Sequence, residues 1–444
     1  MTVAIQAAGE IHYTTNGSLP SRSDPLYTEP LALTETTVIR AAAFEEGKLR
    51  SDVITKTYII NEHHTLPVIS ISAPDSSLFG TSGIYKDSWV DKEVPCHLAL
   101  YENGEGFSID CGIEMFGHTN LSMPKKSFKV QFRGVYGSEV LGYPVYGADG
   151  PQEYEALVIR GGQDYPRSII RDELFTSLCR QMGDNVLAQR DKFSILYING
   201  EYFGIYSMKE AFSEAMYAVN KGVSKESVTM VQAPVGGTSD IFKLRTFCMK
   251  NDMTKAENYE YVASKIDIDS LIDWMIIQGY STNGDIQQNL RYFRSTENGN
   301  KWQFAYYDLD WTFYEHVAFS NVLDPNQPWQ HKGITRNIIK NPEFRQKFIE
   351  RVSYLLTTTL SEENVLARID YYEDLLDPEV KRERQRWNGN YNGWKRSVQA
   401  LRDFIVDGRH MDNVMTRLDH YLGLSKKELE TYFPWWDGKT KWRN

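Results

Sequence analysis

Apolar and polar positions alternate in short runs through the first sixty residues. Ile11-His-Tyr-Thr-Thr, Thr36-Thr-Val-Ile-Arg-Ala-Ala-Ala and the β-rich run from Ser51 to Ile59 are separated by turn chemistry such as Asn16-Gly17-Ser18-Leu19-Pro20. No helical period interrupts them, so residues 1–60 read as a small all-β module, followed by a linker over Asn61–Pro67. Strand patterns continue from 66 to about 160, at Pro67–Ser72, His97–Tyr101, Ile109–Met115 and Ser127–Phe132. The period then changes. Apolar residues at 170, 174, 175, 178 and 182 form a helical stripe that Gly183 ends. Two strands, Phe193–Ile198 and Tyr202–Met208, flank Asn199-Gly200, a two-residue hairpin signal. Beyond Glu210 the spacing is helical over 241–250, 256–266, 270–280, 336–360, 362–376, 394–406 and 411–422. One hairpin interrupts it, Leu290–Arg294 and Trp302–Asp310 around Asn298-Gly-Asn. The fold class is therefore α+β, with a β-rich first part and an α-rich second part.

Length and charge narrow the partners. A chain of 444 residues with 41% hydrophobic and 24% charged positions has material for two or three domains and no global disorder. Its net charge of −10 argues against sequence-independent nucleic-acid binding, which needs many cations on phosphates. No apolar run reaches the ~20 residues of a membrane span, and the first residues lack a signal-peptide pattern. The four cysteines form no CxxC, so a cysteine metal knuckle is not expected; Cys96 and Cys111 lie where a hairpin could pair them, with free buried thiols the simpler expectation. Aromatic content is 13%, with 27 Tyr and 10 Trp.

Polar chemistry converges on the late hairpin. Asp285-Ile-Gln-Gln-Asn289 precedes its first strand and Asp308-Leu-Asp310 ends its second. On a strand, residues two apart share a face, so Asp308 and Asp310 should project together. Two such carboxylates repel unless a cation or proton lies between them. With Asn289 they make a hard-oxygen set suited to Mg²⁺, Mn²⁺ or Ca²⁺, and Asp285 is placed to act as a base toward a hydroxyl. The bland alternative is a capped turn. Lys125, Lys126 and Lys129 lie just before or on a strand, as phosphate ligands or as guards of an edge strand.

Four blocks occur in order: Phe116-Gly-His-Thr…Pro124-Lys-Lys-Ser-Phe, Arg160-Gly-Gly-Gln-Asp-Tyr…Ile170-Arg-Asp-Glu-Leu, Tyr197-Ile-Asn-Gly-Glu-Tyr-Phe-Gly-Ile-Tyr-Ser-Met-Lys-Glu210, and Asn283-Gly-Asp-Ile-Gln-Gln-Asn…Tyr307-Asp-Leu-Asp-Trp-Thr-Phe313. Together they resemble the CotH (spore-coat protein H) kinase family over about 66–423. Residues 1–60 resemble the β-sandwich module found at chitobiase and hexosaminidase C-termini, entered one strand late, and 424–444 form an aromatic tail. The resemblance implies a bilobal atypical protein-kinase-like domain without a glycine-rich phosphate loop, and no GxGxxG occurs in the β-rich part.

It also implies ATP and Mg²⁺ or Mn²⁺ as cofactors, a protein or surface polysaccharide as acceptor, and an extracellular or cell-surface location. Asp285 matches the catalytic aspartate, Asn289 the metal-binding asparagine, and Asp308 and Asp310 the metal pair. Lys126, then Lys129, are the phosphate lysines, with Glu173 as ion-pair partner; Asp164, Arg167 and Arg171 are substitutes. Glu210 falls where a hinge between lobes is expected, or in the first turn of a helix. The step from Asp285 to Asn289 is one shorter than in ordinary kinases, and Tyr306-Tyr307 stands where many relatives carry Pro-Trp. The alternative function is a non-catalytic surface or carbohydrate-binding protein using Trp387, Trp394, Trp435 and Trp436 as stacking rings. A glycosidase is disfavoured, because its carboxylates must stand ~5–9.5 Å apart across the scissile bond.

Overall fold

The computed structural model describes residues 1–232, 239–326 and 331–436. The chain divides into two compact units. The first comprises Met1–Pro166, Arg190–Ala211 and Leu375–Tyr391; the second comprises Arg167–Gln189, Phe212–Asp374 and Asn392–Asn444.

The first unit opens with a three-stranded antiparallel sheet of β1 (Glu10–Thr14), β2 (Thr37–Phe44) and β3 (Ile54–Tyr58), with β2 in the middle. Val3, Ile11, Leu33, Ile39 and Ala41 form its own small core. Seven further strands then close into a barrel: β4 (Val68–Ser72), β5 (Val94–Glu102), β6 (Glu105–Phe116), β7 (Ser127–Gln131), β8 (Ala156–Arg160), β9 (Asp191–Ile198) and β10 (Glu201–Glu210). β8 pairs with both β7 and β10, which closes the ring and leaves no strand edge exposed to pairing. The β4–β9 pair is parallel, Val68 opposite Ile195; the other pairs are antiparallel. Period-2 alternation sends Ile69, Ile71, Leu98, Leu100, Ile113, Phe128, Val130, Leu157 and Ile159 inward. Cys96 and Cys111 are directly opposite on β5 and β6, both thiols buried, with their sulfurs 3.4 Å apart.

The Asn199-Gly200 turn has φ of 51° and 84°, the two positive values a type I′ hairpin needs. Its asparagine has a second task. Asn199 accepts from Ala73 N at 3.0 Å and donates to Ala73 O at 2.8 Å. Gly17 of the N-terminal sheet lies so close that a Cβ there would fall 2.1 Å from Asn199 Oδ1. Thr57 on β3 donates from its backbone to Tyr101 OH (3.1 Å) and pairs by its hydroxyl with Ser70 (2.7 Å). The stretch read as a linker is likewise tied: Thr65 N donates to Glu379 at 2.6 Å, and His64 bridges Glu379 (3.0 Å) and Tyr197 OH (2.8 Å).

The second unit carries helices α1 (Arg171–Gln181), α2 (Ile268–Tyr280), α3 (Lys332–Ile338), α4 (Pro342–Leu356), α5 (Glu362–Arg386, its last turns in the first unit), α6 (Arg409–Leu422) and α7 (Lys426–Tyr432). A four-stranded sheet orders Leu187–Ala188, β13 (Gln303–Tyr306), β12 (Arg291–Ser295) and β11 (Val228–Gln232). Two helix expectations change. The run 336–360 is two helices, because Pro342 lacks an N–H and disfavours helical backbone at Asn341, which instead caps α4 by accepting from Glu343 N and Phe344 N. The run from 362 does not stop at 376: α5 continues through Pro378 to Arg386. The helix is held past its proline by tertiary bonds, since Glu379, Glu383 and Trp387 all take partners in the first unit. No helix among the described residues is long and apolar enough to cross a membrane.

Candidate functional site

α2 is buried from Ser270 to Tyr280, and the chain leaving it is held by amides rather than by packing alone. Asn283 donates to Gln278 Oε1 at 2.9 Å, and Asn321 donates to both Gln278 O (2.8 Å) and Asn283 O (2.9 Å). All three are buried, so their mutual bonds satisfy groups that water cannot reach. Asn283 then accepts from Asp285 N at 3.0 Å, which fixes the start of the turn.

Asp285 and Asn289 close that turn on each other. Asn289 Nδ2 donates to Asp285 O at 2.9 Å and to Asp285 Oδ2 at 3.3 Å, and its own backbone N–H reaches Ile286 O at 3.0 Å. The segment after β13 is stitched alongside. Gly284 N donates to Trp311 O at 2.9 Å, and Phe313 N to Ser281 O at 3.0 Å.

The carboxylate pair does not lie on a strand. β13 ends at Tyr306, and Asp308 has a left-handed φ of 58°. The same-face rule for residues two apart therefore does not apply to Asp308 and Asp310. Asp310 is buried, whereas Asp308 is only half-buried. Asp308 faces Asp285: burial raises the Asp285 carboxyl pKa, Asp308's negative charge raises it further, and the Asn289 hydrogen bond works against both. Arg291, whose guanidinium lies 4.4 Å from the Tyr307 ring centre, has its pKa lowered by burial and supported by Tyr307 and Asp308. No cluster of three or more His, Cys, Asp or Glu groups forms a metal-type site among the described residues.

α1 supports this segment. Asp172 Oδ1 accepts from Leu309 N at 3.0 Å, and Arg171 Nε donates to Thr312 O at 3.2 Å. The Arg171 guanidinium lies 4.1 Å from the Tyr314 ring centre, with Arg167 at 5.6 Å. Asp172 was not singled out by the sequence; its only signal was its place beside Arg171 in the second block. Glu173, one residue on, is buried, and its backbone carbonyl accepts from Tyr372 OH at 3.1 Å.

The remaining expected residues lie in the first unit. Lys125 is fully buried in an ion pair with Glu383 at 2.6 Å, and it also donates to Ile205 O. Lys129 sits opposite Glu114 across β6 and β7, its ammonium 3.4 Å from that carboxylate. Lys126 donates to Leu121 O and lies 5.6 Å from the Tyr85 ring centre, with no carboxylate partner among the described residues; burial lowers its pKa. Glu210 ends β10 and is buried, accepting from Arg190 N at 2.7 Å. It is therefore not in a helix, which begins at Glu214. Of the proposed stacking rings, Trp394 is buried and donates to Ser168 O at 2.9 Å, and Trp387 packs against the barrel core and donates to Phe203 O at 2.9 Å. Trp435 is 40% exposed, and the tail beyond Trp436 lies outside the described residues.

The family model for CotH kinase protein matches residues 113–411, and the chain belongs to that family. A second family model, Fn3 associated, matches residues 2–58, in keeping with a β-sandwich-type module at the start of the chain. No curated protein matches the chain.

Proposed function

We propose that this chain is a bilobal, atypical kinase-like enzyme that transfers the γ-phosphoryl group of ATP to a hydroxyl on a protein or a surface polymer. The reading is carried by one observation: a CotH-family chain in which the half-buried Asp285 carboxyl feels the charge of Asp308 inside a turn closed by Asn289. The donor set suits Mg²⁺, which is commonly held by one or two carboxylates plus substrate phosphates and so needs no cage of three acidic residues. Asp308 is the favoured ligand because it is the charge Asp285 feels and is half-buried; Asn289 and Asp310 complete the set. A divalent ion bound there would neutralise charge on the transferred group.

Asp285 orients the acceptor hydroxyl and takes its proton as the hydroxyl oxygen bonds to the γ-phosphorus and the bond to the ADP oxygen breaks. A raised pKa makes that carboxylate a better base than an exposed one. Lys126 is the proposed phosphate lysine, since Lys125 and Lys129 are already in ion pairs. Glu173 and Glu210 are retained as residues of the nucleotide site through the family resemblance. The extracellular or surface setting rests on the same resemblance. The test is radiolabelled γ-phosphoryl transfer by the full chain with Mg²⁺ or Mn²⁺, to itself or to casein. Label on wild type and none on Asp285→Asn or Asp308→Ala is expected; equal labelling of all three refutes the assignment.

A further inference from the structure

A polar recess lies in the helical unit, on elements not used by the aspartate turn. It is a cavity of about 600 Å³ lined by Asp324, Arg336, Lys340, Arg417, His420 and Tyr421, among others. Arg336 is on α3 and Lys340 follows four residues later; Arg417, His420 and Tyr421 are spaced three and four apart on α6, hence on one helix face. Among the described residues none of Arg336, Lys340 and Arg417 makes an ion pair with a carboxylate, although Lys340 is near enough to Asp252 to lower that carboxyl's pKa. Arg336 donates to Pro325 O at 2.8 Å and Lys340 to Asn337 Oδ1 at 3.1 Å, both neutral acceptors. Arg417 hydrogen-bonds the Tyr421 hydroxyl, whose pKa is raised by burial and by Asp324 and lowered by that arginine.

Asp324 is the single carboxylate among the described lining residues; its Oδ1 accepts from Asn326 N at 2.8 Å, and its backbone carbonyl is met from behind. Lys332, fully buried, donates to Ser320 O at 2.6 Å and to Asp324 O at 3.3 Å. Burial brings its pKa down to about 8, with Asp324 opposing and Arg336 adding to the fall. On a chain of net charge −10, this recess is a concentrated positive field.

We propose that the recess binds a phosphate monoester carried on a polypeptide side chain. Two guanidinium forks and an ammonium match the three terminal oxygens of such a group, which carries close to two negative charges at neutral pH. A volume of about 600 Å³ is far larger than a lone phosphate and leaves room for the residue that bears it. The site would therefore retain phosphorylated rather than unmodified segments.

The full chain is titrated by fluorescence anisotropy with a labelled phosphoserine peptide, with its serine counterpart, and with inorganic phosphate as competitor. The phosphopeptide should bind about tenfold or more tighter than the serine peptide, as expected for charge-assisted contacts. Lys340→Gln and Arg417→Lys should each weaken it severalfold while melting within about 2 °C of wild type. Asp285→Asn should bind unchanged, so the result is independent of the phosphotransfer reading. Equal affinity for the two peptides, indifference to both substitutions, or binding of inorganic phosphate as tight as that of the phosphopeptide would each overturn the proposal.

Discussion

The most exacting check on the first unit is the pair Lys125–Glu383. Both side chains are buried, 2.6 Å apart, and the Glu383 carboxylate also accepts from Ile205 N at 2.7 Å while Lys125 donates to Ile205 O. The ammonium lies 4.6 Å from the Tyr206 ring centre, a further favourable contact for a cation. The gross attraction at that separation is about 6 kcal/mol at an effective dielectric of 20, yet both ions have given up hydration worth several kcal/mol each. The net worth of the pair against an apolar replacement is therefore small, but breaking it from one side is not. Lys125→Met strands a buried carboxylate and should cost about 3–5 kcal/mol. Glu383→Gln keeps an acceptor for Ile205 N, so the double variant should recover about 2–3 kcal/mol of that loss. Urea unfolding of wild type, both single variants and the double variant gives the cycle. A Lys125→Met cost below about 1 kcal/mol, or strict additivity, would show the pair to be solvated and the argument wrong.

Three further outcomes follow from the same geometry. Gly204 has φ of 106°, and a Cβ there would fall 1.9 Å from Glu383 Oε2; Gly204→Ala should lower the urea midpoint about as much as Lys125→Met, and no change would contradict the close approach. Metal should stabilise wild type through binding linkage, by about 2.7 kcal/mol at a hundredfold excess over Kd; a Mg²⁺-dependent rise in melting temperature that persists in Asp308→Ala would remove that residue from the metal set. The third concerns pH in the metal-free chain. Asp285 has a raised folded-state pKa, so its contribution to stability is full below the usual carboxylate value and is lost as pH rises through the folded value. Asp308→Asn takes away one cause of the elevation, and its stability curve across that window should be flatter than wild type; parallel curves would show that the two carboxylates do not interact.

Strands and helices were legible wherever one period ruled a run. The alternation in Ile109–Met115 and the apolar stripe from 170 to 182 sit in β6 and α1, although α1 is buried on every side from Arg171 to Cys179 and its polar residues find partners there. Barrel closure was not legible, since the pairing of β8 with both β7 and β10 is a non-local choice that no single strand records. The Asp308-Leu-Asp310 segment misled for the opposite reason. Its apolar run reads as continuing strand, but the left-handed turn at Asp308 is fixed from outside by Asp172 on Leu309 N and by the bond from Gly284 N to Trp311 O. Asp285 and Asn289 were recognisable as a motif, whereas the amide scaffold of Gln278, Asn283 and Asn321 was not, because those residues meet across distant stretches of chain. The neighbouring lysines Lys125, Lys126 and Lys129 could not be told apart from sequence; a difference of one position sends Lys125 into a buried ion pair and Lys126 onto the Leu121 carbonyl.

The ties that Thr57 makes from the N-terminal sheet to Tyr101 and Ser70 of the barrel, and that Thr65 of the connecting segment makes to Glu379, bear on how the molecule would respond to load. A bead on a flexible tether yields first and alone when its end is pulled. Here the backbone of the tether is clasped at Glu379, on a helix more than three hundred residues further along the chain, and Gly17 abuts the barrel's own hairpin. Traction on the N-terminus would thus be passed directly into the barrel wall and its trailing helix, so that detachment of the small sheet and rupture of the barrel's clasp are one mechanical event rather than two.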